Sequence, residues 1–274
     1  MTIGAVVAIV AQALLPQAAT AAAPATAVVH QPWAAGDTGG RGLRLVHGGP
    51  VAAAVGKVFF TLASRDYVCS GALVRSEHAD VVLTAAHCVR DGRGQWATNW
   101  TFVPGYRDGA DPYGHYTARR FFVSPQWTGP ASGSERYDVA FVQVTPVQRD
   151  GSGRASAPAG LPIRFAASQT AAAPPGVAYV FGYPALAPFS GLYANYCAGP
   201  AVASATRPGS AATSCAMTAG DSGGPWLAGF SPQAGTGAIT AVTAYKLSGN
   251  LRVLYGTVLG PSARALYLSA SGHG

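Results

Sequence analysis

The chain has 274 residues, of which 49% are hydrophobic and only 11% are charged, and it contains 35 glycines and 20 prolines. This balance excludes a disordered chain and a helical bundle, and it is typical of a loop-rich β protein with one large core. The net charge of +7 reflects scarce acidic residues and no run of basic ones, so the sequence does not favour nucleic-acid binding.

The first 29 residues carry no charged side chain. An apolar core over residues 3–15 is followed by small residues with A-x-A spacing, which predicts a secretory signal peptide over residues 1–27. The core is too short to span a bilayer. Because no basic residue precedes the core, two alternatives stay open: the true start is displaced, or the segment is an inefficient signal that stays as an anchor.

Residues 28–50 are glycine-rich and without periodicity, which predicts a linker or a short propeptide. A folded domain is expected over residues 51–270. Its first half, about residues 51–147, contains six runs rich in apolar and β-branched residues. These runs predict strands over residues 57–62, 67–74, 81–86, 100–104, 116–123 and 139–144.

Two polar residues stand at the ends of these runs. His87 follows the third run directly, beside Cys88, and Asp138 directly precedes the sixth. The competing residues His47, His78 and His115, and Asp108, Asp111 and Asp150, lie among loop-type neighbours. A single histidine or aspartate is more often structural than functional, so neither residue decides the function alone.

Residues 148–168 form a polar stretch that we expect to be a crossover between two halves. The second half, about residues 169–262, predicts strands over residues 177–181, 199–205, 225–228, 239–247 and 251–259. A short helix is predicted over residues 262–268. No internal repeat of fixed period is present.

The stretch Thr-Ala-Gly-Asp-Ser-Gly-Gly-Pro places Ser222 between small residues that let the backbone turn tightly. A serine hydroxyl is a weak nucleophile, and it needs a base within hydrogen-bond reach and donors for the developing oxyanion. Gly220 can adopt backbone angles that point its own amide and that of Ser222 into one oxyanion hole. The same residue types also form surface turns, so the stretch alone leaves both interpretations open.

The three candidates occur in the order His87, Asp138, Ser222, which is one of three chain orders known for a Ser-His-Asp triad. The motifs TAAHC, YDVAFV and GDSGGP around them resemble the chymotrypsin/trypsin-like serine protease family, over about residues 58–267. The runs VCSGALV, NWTFVPGY and CAMTAGDSGGPW are similar to the secreted actinobacterial trypsin-like and glutamyl-endopeptidase-like branches.

The resemblance implies an all-β fold of two six-stranded antiparallel Greek-key barrels, with the triad in the cleft between them and a short C-terminal helix. It implies that Ser222 attacks the substrate carbonyl, that His87 takes the serine proton, and that Asp138 orients the histidine. The amides of Gly220 and Ser222 would hold the oxyanion. Asp221 adjoins the nucleophile on a tight loop, so we assign it to shaping that loop. No metal or cofactor is required.

Residues 44–49, Arg-Leu-Val-His-Gly-Gly, resemble the start of mature trypsin-like enzymes. In that family the freed N-terminal amine pairs with the aspartate before the nucleophile, which here is Asp221. One hypothesis is therefore that cleavage after Arg44 activates the enzyme through the amine of Leu45. The alternative is that the chain needs no such switch, because Leu45 is not the isoleucine of that motif.

Four cysteines in an exported chain predict disulfides, and four allow three connectivities. The local choice pairs Cys69 with Cys88 and Cys197 with Cys215. The first bridge matches the pattern of the resembled family, whereas the second departs from it because relatives place a cysteine nearer the serine. A zinc site is the competing interpretation, although no C-x-x-C spacing supports it.

The substrate pocket is described only through the resemblance. Trypsin-like relatives have an acidic residue six positions before the nucleophile, where this chain has Ala216. Without that carboxylate little offsets the cost of desolvating a substrate cation, so we expect Lys/Arg specificity to be disfavoured. The opposite wall is implied to contain Thr243, Ala244, Tyr245 and Lys246. Lys246 stands where many relatives have glycine: either its ammonium reaches solvent along its stem, or it favours acidic substrates.

The leading hypothesis is a secreted, extracellular serine endopeptidase that acts on polypeptides. We expect a monomer with no nucleic-acid partner and no stable membrane association once the signal is removed. Two alternatives remain, namely a serine esterase with the same triad and a catalytically silent homologue that acts as a binding protein.

Overall fold

The computed structural model describes residues 6–8, 11–12, 37–46, 48–78, 80–130, 132–147, 157–172, 174 and 176–272. Most of the predicted signal peptide lies outside the described residues, as do residues 28–36 and His47 of the predicted linker and residues 148–156 of the predicted crossover. Neither α-helix of the described chain is long and apolar enough to cross a membrane.

The described residues form mostly β structure. In chain order the strands are β1 (Val6–Ala8), β2 (Ala11–Gln12), β3 (Leu43–Arg44), β4 (Val55–Leu62), β5 (Arg65–Val74), β6 (Val81–Thr84), β7 (Thr98–Pro104), β8 (His115–Val123), β9 (Ala140–Val147), β10 (Val177–Gly182), β11 (Asn195–Pro200), β12 (Val202–Ala203), β13 (Ser210–Ser214), β14 (Pro225–Ser231), β15 (Thr236–Leu247) and β16 (Asn250–Val258). The α-helices are α1 (Pro50–Ala54) and α2 (Pro261–Ala270).

The first half of the chain closes into an antiparallel barrel in the order β5-β4-β7-β8-β9-β6, with β6 pairing back to β5. Closure leaves no open sheet edge between these strands, and a barrel of this size is filled by its own side chains. Leu73, Phe102 and Phe141 supply part of that filling and are fully buried. All six strands predicted for this half are confirmed, with ends that differ by at most three residues.

The second half forms a curled antiparallel sheet in the order β12-β13-β16-β15-β14-β10-β11-β3. The strand predicted over residues 199–205 is wrong in its bounds, because β11 begins at Asn195 and β12 follows after a break. The break coincides with a change of partner, because β11 pairs with β10 and β12 pairs with β13. The predictions missed β13, whose Ser-Ala-Ala-Thr-Ser sequence has no large apolar residue. The chymotrypsin-like fold and the predicted C-terminal helix, here α2, are confirmed.

The two halves are held together by segments that pass between them. Residues 157–172 donate a backbone hydrogen bond from Leu161 to Leu73 of the barrel and another from Arg164 to Ile239 of the second sheet. Helix α2 follows the second sheet but packs on the barrel, where the hydroxyl of Tyr267 donates to the carbonyl of Arg75 at 2.6 Å. Residues at the junction therefore have a fixed relation to both halves.

Two strands from the start of the chain add to the two halves at this junction. Strand β1 pairs antiparallel with β15, so that Val7 lies opposite Lys246. Strand β2 pairs antiparallel with β5, so that Ala11 lies opposite Val68. Each half therefore offers a strand that accepts one more extended chain, and both of these strands run beside the candidate site described next.

Candidate active site

His87 and Asp138 meet through two hydrogen bonds. The ring Nδ1 of His87 lies 2.7 Å from Oδ2 of Asp138, and the backbone amide of His87 donates to Oδ1 at 2.9 Å. Both side chains are buried, with relative exposures of 4% and 3%. Because an ionised carboxylate only accepts hydrogen bonds, Nδ1 carries the proton and Nε2 is left with its lone pair. The arrangement therefore orients an imidazole that can accept a proton at Nε2.

Local structure explains why these two residues meet. Strand β6 ends at Thr84, and a short 3₁₀ turn over Ala86–Cys88 then carries His87. Asp138 ends a second 3₁₀ turn, Glu135–Tyr137, just before β9 begins at Ala140. Because β6 and β9 are neighbours in the barrel, with Thr84 opposite Ala140, the two turns emerge side by side.

The loop that carries Ser222 depends on glycines that have no room for a side chain. Gly220 has a φ of +105°, and an added Cβ would lie 2.6 Å from the carbonyl oxygen of Tyr183. Gly223 has a φ of +80°, and an added Cβ would lie 2.2 Å from Oγ1 of Thr84. Positive φ and close backbone approach both require glycine. Gly223 holds the loop against β6 and its neighbour β5, and Gly220 holds it against the segment that follows β10.

Ser222 lies against the segment that contains His87. The backbone amide of Ser70 donates to the carbonyl of Ser222 at 2.7 Å, and the sulfur of Cys88 lies 3.8 Å from the same oxygen. On its other side, the loop exchanges hydrogen bonds with β15, from Gly223 to Thr243 and from Thr243 to Gly224. Nε2 of His87 is buried and has no hydrogen-bond partner among the described residues. The structure thus brings the three predicted residues together without a His87–Ser222 hydrogen bond.

Two peptide groups of this loop are oriented by bonds to their carbonyls. The carbonyl of Ala219 accepts from the amide of Ala185 at 2.7 Å, and the carbonyl of Asp221 accepts from the amide of Gly224 at 2.9 Å. In a trans peptide the N–H points away from the C=O of the same group. The N–H groups of Gly220 and Ser222 therefore point away from Ala185 and Gly224 respectively.

Sequence reasoning assigned no role to Ser70, although it lies in the quoted run VCSGALV. Its hydroxyl donates to the carbonyl of Gly220 at 2.8 Å and accepts from the amide of Tyr183 at 2.8 Å. Its own amide binds Ser222, as described above. One buried residue thus fixes both sides of the nucleophile loop, and only the three-dimensional contacts reveal it.

Both disulfides expected from the sequence are present, Cys69–Cys88 and Cys197–Cys215. The first joins β5 to the turn that carries His87, and the second joins β11 to the start of the nucleophile loop. Loops of this length are worth about 3 kcal/mol each in the chain-entropy account. Because a disulfide sulfur is not a thiolate, these cysteines do not offer the ligands of a zinc site.

Asp221 is fully buried, and neither carboxylate oxygen has a hydrogen-bond partner in the described part of the chain. Burial raises the pKa of this carboxyl to about 7, against the opposing effect of the charges on Lys246 and His87. The activation hypothesis would supply the amine of Leu45 as a partner. In the intact chain Leu45 has only a peptide nitrogen, which donates to the carbonyl of Ala194 at 2.8 Å. The hypothesis stays a prediction.

The residues implied for the substrate pocket fall into two groups. Thr243 and Tyr245 are tied into the second half, because Thr243 accepts from the indole of Trp226 and the hydroxyl of Tyr245 donates to Ser210. Ala244 is buried between them, whereas Ala216 is exposed on the nucleophile loop.

Lys246 does not reach solvent, so the interpretation that its ammonium reaches solvent along the side-chain stem is wrong. The residue is 5% exposed, and Nζ donates to the carbonyls of Cys215, at 2.7 Å, and Leu251. Burial lowers the pKa of Lys246, and attraction to Asp221 raises it. The ammonium is thus held by a carbonyl of β16 and by one at the start of the nucleophile loop, and the sequence did not indicate that these two groups would meet Lys246.

Comparisons with known proteins agree with this fold. Residues 69–229 match the family model described as trypsin-like peptidase domain. The protease Anisep from Arthrobacter nicotinovorans is 34% identical, and the alignment covers 82% of this chain and 98% of that one, with a TM-score of 0.70. The thermostable serine protease AL20 from an extremophilic microorganism is 30% identical over 81% of this chain and 99% of that one, with a TM-score of 0.69.

Two further matches are more limited. A Glu endopeptidase structure at 16% identity shares the fold, with a TM-score of 0.63 over 84% of this chain and 96% of that one. An extracellular metalloprotease of Bacillus subtilis is 33% identical over 81 residues, which is 30% of this chain. The match spans only 24% of the length of that curated relative.

Proposed function

The chain belongs to the family of trypsin-like serine endopeptidases, and from this premise we propose that it hydrolyses peptide bonds with Ser222, His87 and Asp138. The observation that carries the proposal is the buried His87–Asp138 contact of 2.7 Å, which leaves Nε2 of the histidine as a proton acceptor beside the serine loop. Asp138 acts as the residue that fixes the tautomer and stabilises the imidazolium that forms.

The reaction proceeds through an acyl-enzyme. Oγ of Ser222 attacks the carbonyl carbon of the scissile bond while Nε2 of His87 takes the hydroxyl proton. The tetrahedral intermediate collapses, the C–N bond breaks, and His87 returns the proton to the leaving amine. Water then attacks the ester with its proton passing to His87, and the acid product leaves as Ser222 regains its hydrogen. No proton, electron or co-reactant is left over.

The oxyanion is stabilised by the amides of Gly220 and Ser222. The amides of Ala185 and Gly224 bind the carbonyls of Ala219 and Asp221, which hold the opposite ends of the same two peptide groups. This supports a preformed pair of N–H donors. Preorganised donors of this kind need no reorganisation as charge develops, and the loss of one costs about 3 kcal/mol in related enzymes.

Peptides are favoured over simple esters because the site lies between two strands that accept extended chain. The pairing of β1 with β15 and of β2 with β5 supports this, since both recipient strands contact the Ser222 loop. Adding a strand binds a peptide through its main chain and leaves side chains to set specificity.

We place the protease domain at residues 51–270, after a secretion signal that ends near residue 27. Secretion is supported by the two disulfides, because disulfides persist mainly in oxidising compartments outside the cytosol. The substrate is a polypeptide and the working form is a monomer.

A direct test compares hydrolysis of a mixed peptide library and of a small ester by the secreted protein and two variants. Ser222→Ala should abolish peptide hydrolysis, whereas Ser214→Ala, at an exposed serine that ends β13 just before this loop, should retain it. Turnover of peptides by the Ser222→Ala variant would overturn the assignment, and ester hydrolysis without peptide hydrolysis would favour the esterase.

A further inference from the structure

The chain has only two lysines, Lys57 and Lys246, and both are buried. Their relative exposures are 6% and 5%, although lysine is among the residue types least often found buried. The ammonium of Lys57 donates to the carbonyl of Gly191 at 2.7 Å, in the segment between β10 and β11. Lys246 instead lies beside the nucleophile loop, where a fixed positive charge can act on a substrate.

Strand β15 brings Lys246 to this place. Its residue Thr243 exchanges two backbone hydrogen bonds with Gly223 and Gly224, the two residues after the nucleophile. Lys246 follows three residues later, near the end of the strand and opposite Val7 of β1. The strand that would align a peptide substrate therefore carries the lysine a few residues from the reacting serine.

The ammonium is held by the floor of the implied pocket. Nζ donates to the carbonyl of Cys215, at 2.7 Å, and to the carbonyl of Leu251. Cys215 directly precedes Ala216, the position where the trypsin-like resemblance implies a carboxylate that binds basic side chains. This chain therefore has a buried positive charge at the base of the pocket, where trypsin-like relatives have a negative one.

The ammonium keeps capacity for a ligand. A lysine has three N–H donors, and among the described residues two of them are used by these carbonyls. Ala216, which directly follows Cys215, is exposed at the surface of the nucleophile loop. The buried Asp221 attracts Lys246 electrostatically but shares no hydrogen bond with it among the described residues.

We propose that Lys246 makes this enzyme select peptides with an acidic residue, Glu or Asp, immediately before the cleaved bond. The proposal rests on the proposed function. A substrate carboxylate would accept the remaining N–H in a charge-assisted hydrogen bond and compensate a buried cation. A substrate lysine or arginine would place two cations together, and a neutral side chain would make no charge-assisted hydrogen bond to the ammonium.

The test uses matched peptides that differ only in Glu or Gln before the cut, because these two side chains have nearly the same shape. Wild type should cleave the Glu peptide at least ~10-fold faster in kcat/KM, because a carboxylate makes a stronger hydrogen bond to an ammonium than an amide oxygen does. Lys246→Met should reduce this ratio to near one while it still cleaves the Gln peptide. Lys57→Met, which removes the other buried ammonium, should keep the wild-type ratio.

A second variant keeps the test decisive if Lys246→Met fails to fold. Ala216→Asp adds a carboxylate beside the ammonium and should lower the Glu/Gln ratio at least several-fold. A wild-type ratio near one, best cleavage after Arg or Phe, or an unchanged ratio in Lys246→Met would overturn the proposal. Failure of the proposed function is different and separately visible: no peptide of the panel would be cleaved, and Ser222→Ala would behave as wild type.

Discussion

Asp138→Asn tests the electrostatic role of the triad carboxylate with little change of shape. The carboxylate accepts both the ring N–H and the backbone amide of His87, at 2.7 and 2.9 Å, in surroundings that are almost fully buried. An asparagine can still accept from the backbone amide through Oδ1. Its NH₂ group, however, faces Nδ1 and donates, which moves the ring proton to Nε2 and removes the lone pair that should accept the serine proton.

The expected loss in kcat is about 10⁴-fold, the size found when the same exchange creates the wrong tautomer in a serine protease triad. KM should change little, because Asp138 does not touch substrate. The assay is steady-state hydrolysis of one peptide with kcat and KM resolved separately. A matched control is Asp111→Asn, which alters the contact between Asp111 and His115, 3.5 Å long and partly exposed. A loss smaller than tenfold for Asp138→Asn, or an equal loss for the control, would refute the reasoning.

Three further outcomes are expected. Burial lowers the pKa of Lys57 to about 8, so above that pH the unfolded chain binds more protons than the folded chain. The free energy of unfolding, measured by urea titration, should therefore rise by about 2 kcal/mol between pH 7 and 9.5 in wild type relative to Lys57→Met. Gly220→Ala should lower kcat about 100-fold by displacing an oxyanion donor, whereas Gly229→Ala, at positive φ but with open space around it, should keep kcat. Burial raises the folded pKa of the Asp221 carboxyl to about 7, so the stability that the protonated carboxyl contributes is lost as the pH rises through about 7. Asp221→Asn should therefore raise the Tm of the uncleaved chain at pH 8. An unchanged or lower Tm would show that the carboxylate already has a partner.

The strands of the first barrel were accessible from the sequence because each contains a run of apolar and β-branched residues. Strands made of small residues were not: β13 is Ser-Ala-Ala-Thr-Ser, which has no apolar signal, and it is placed by pairing with β16. Strand β3 has only two residues and exists because Asn195 and Tyr196 pair with it. Tertiary pairing, not local preference, decides such elements.

The triad candidates were identified from motifs. The pairing of β6 with β9 explains why His87 and Asp138 meet. The supporting residues were harder to predict. Ser70 gave no signal, because its role is to bind backbone groups of Tyr183, Gly220 and Ser222, which lie 113 or more residues away along the chain. For Lys246 the sequence left two interpretations open, since the choice depends on carbonyls of Cys215 and Leu251 that only folding brings together.

The central claim is that Ser222 is an activated nucleophile, and intact-mass analysis of the secreted protein with a fluorophosphonate probe tests it most directly. The account predicts a single covalent adduct that is retained in Ser214→Ala and absent in Ser222→Ala. The mass before labelling would also give the processed N-terminus. If the uncleaved chain is silent, the measurement is repeated after cleavage at Arg44. No adduct in either form, or an adduct that persists in Ser222→Ala, would contradict the account.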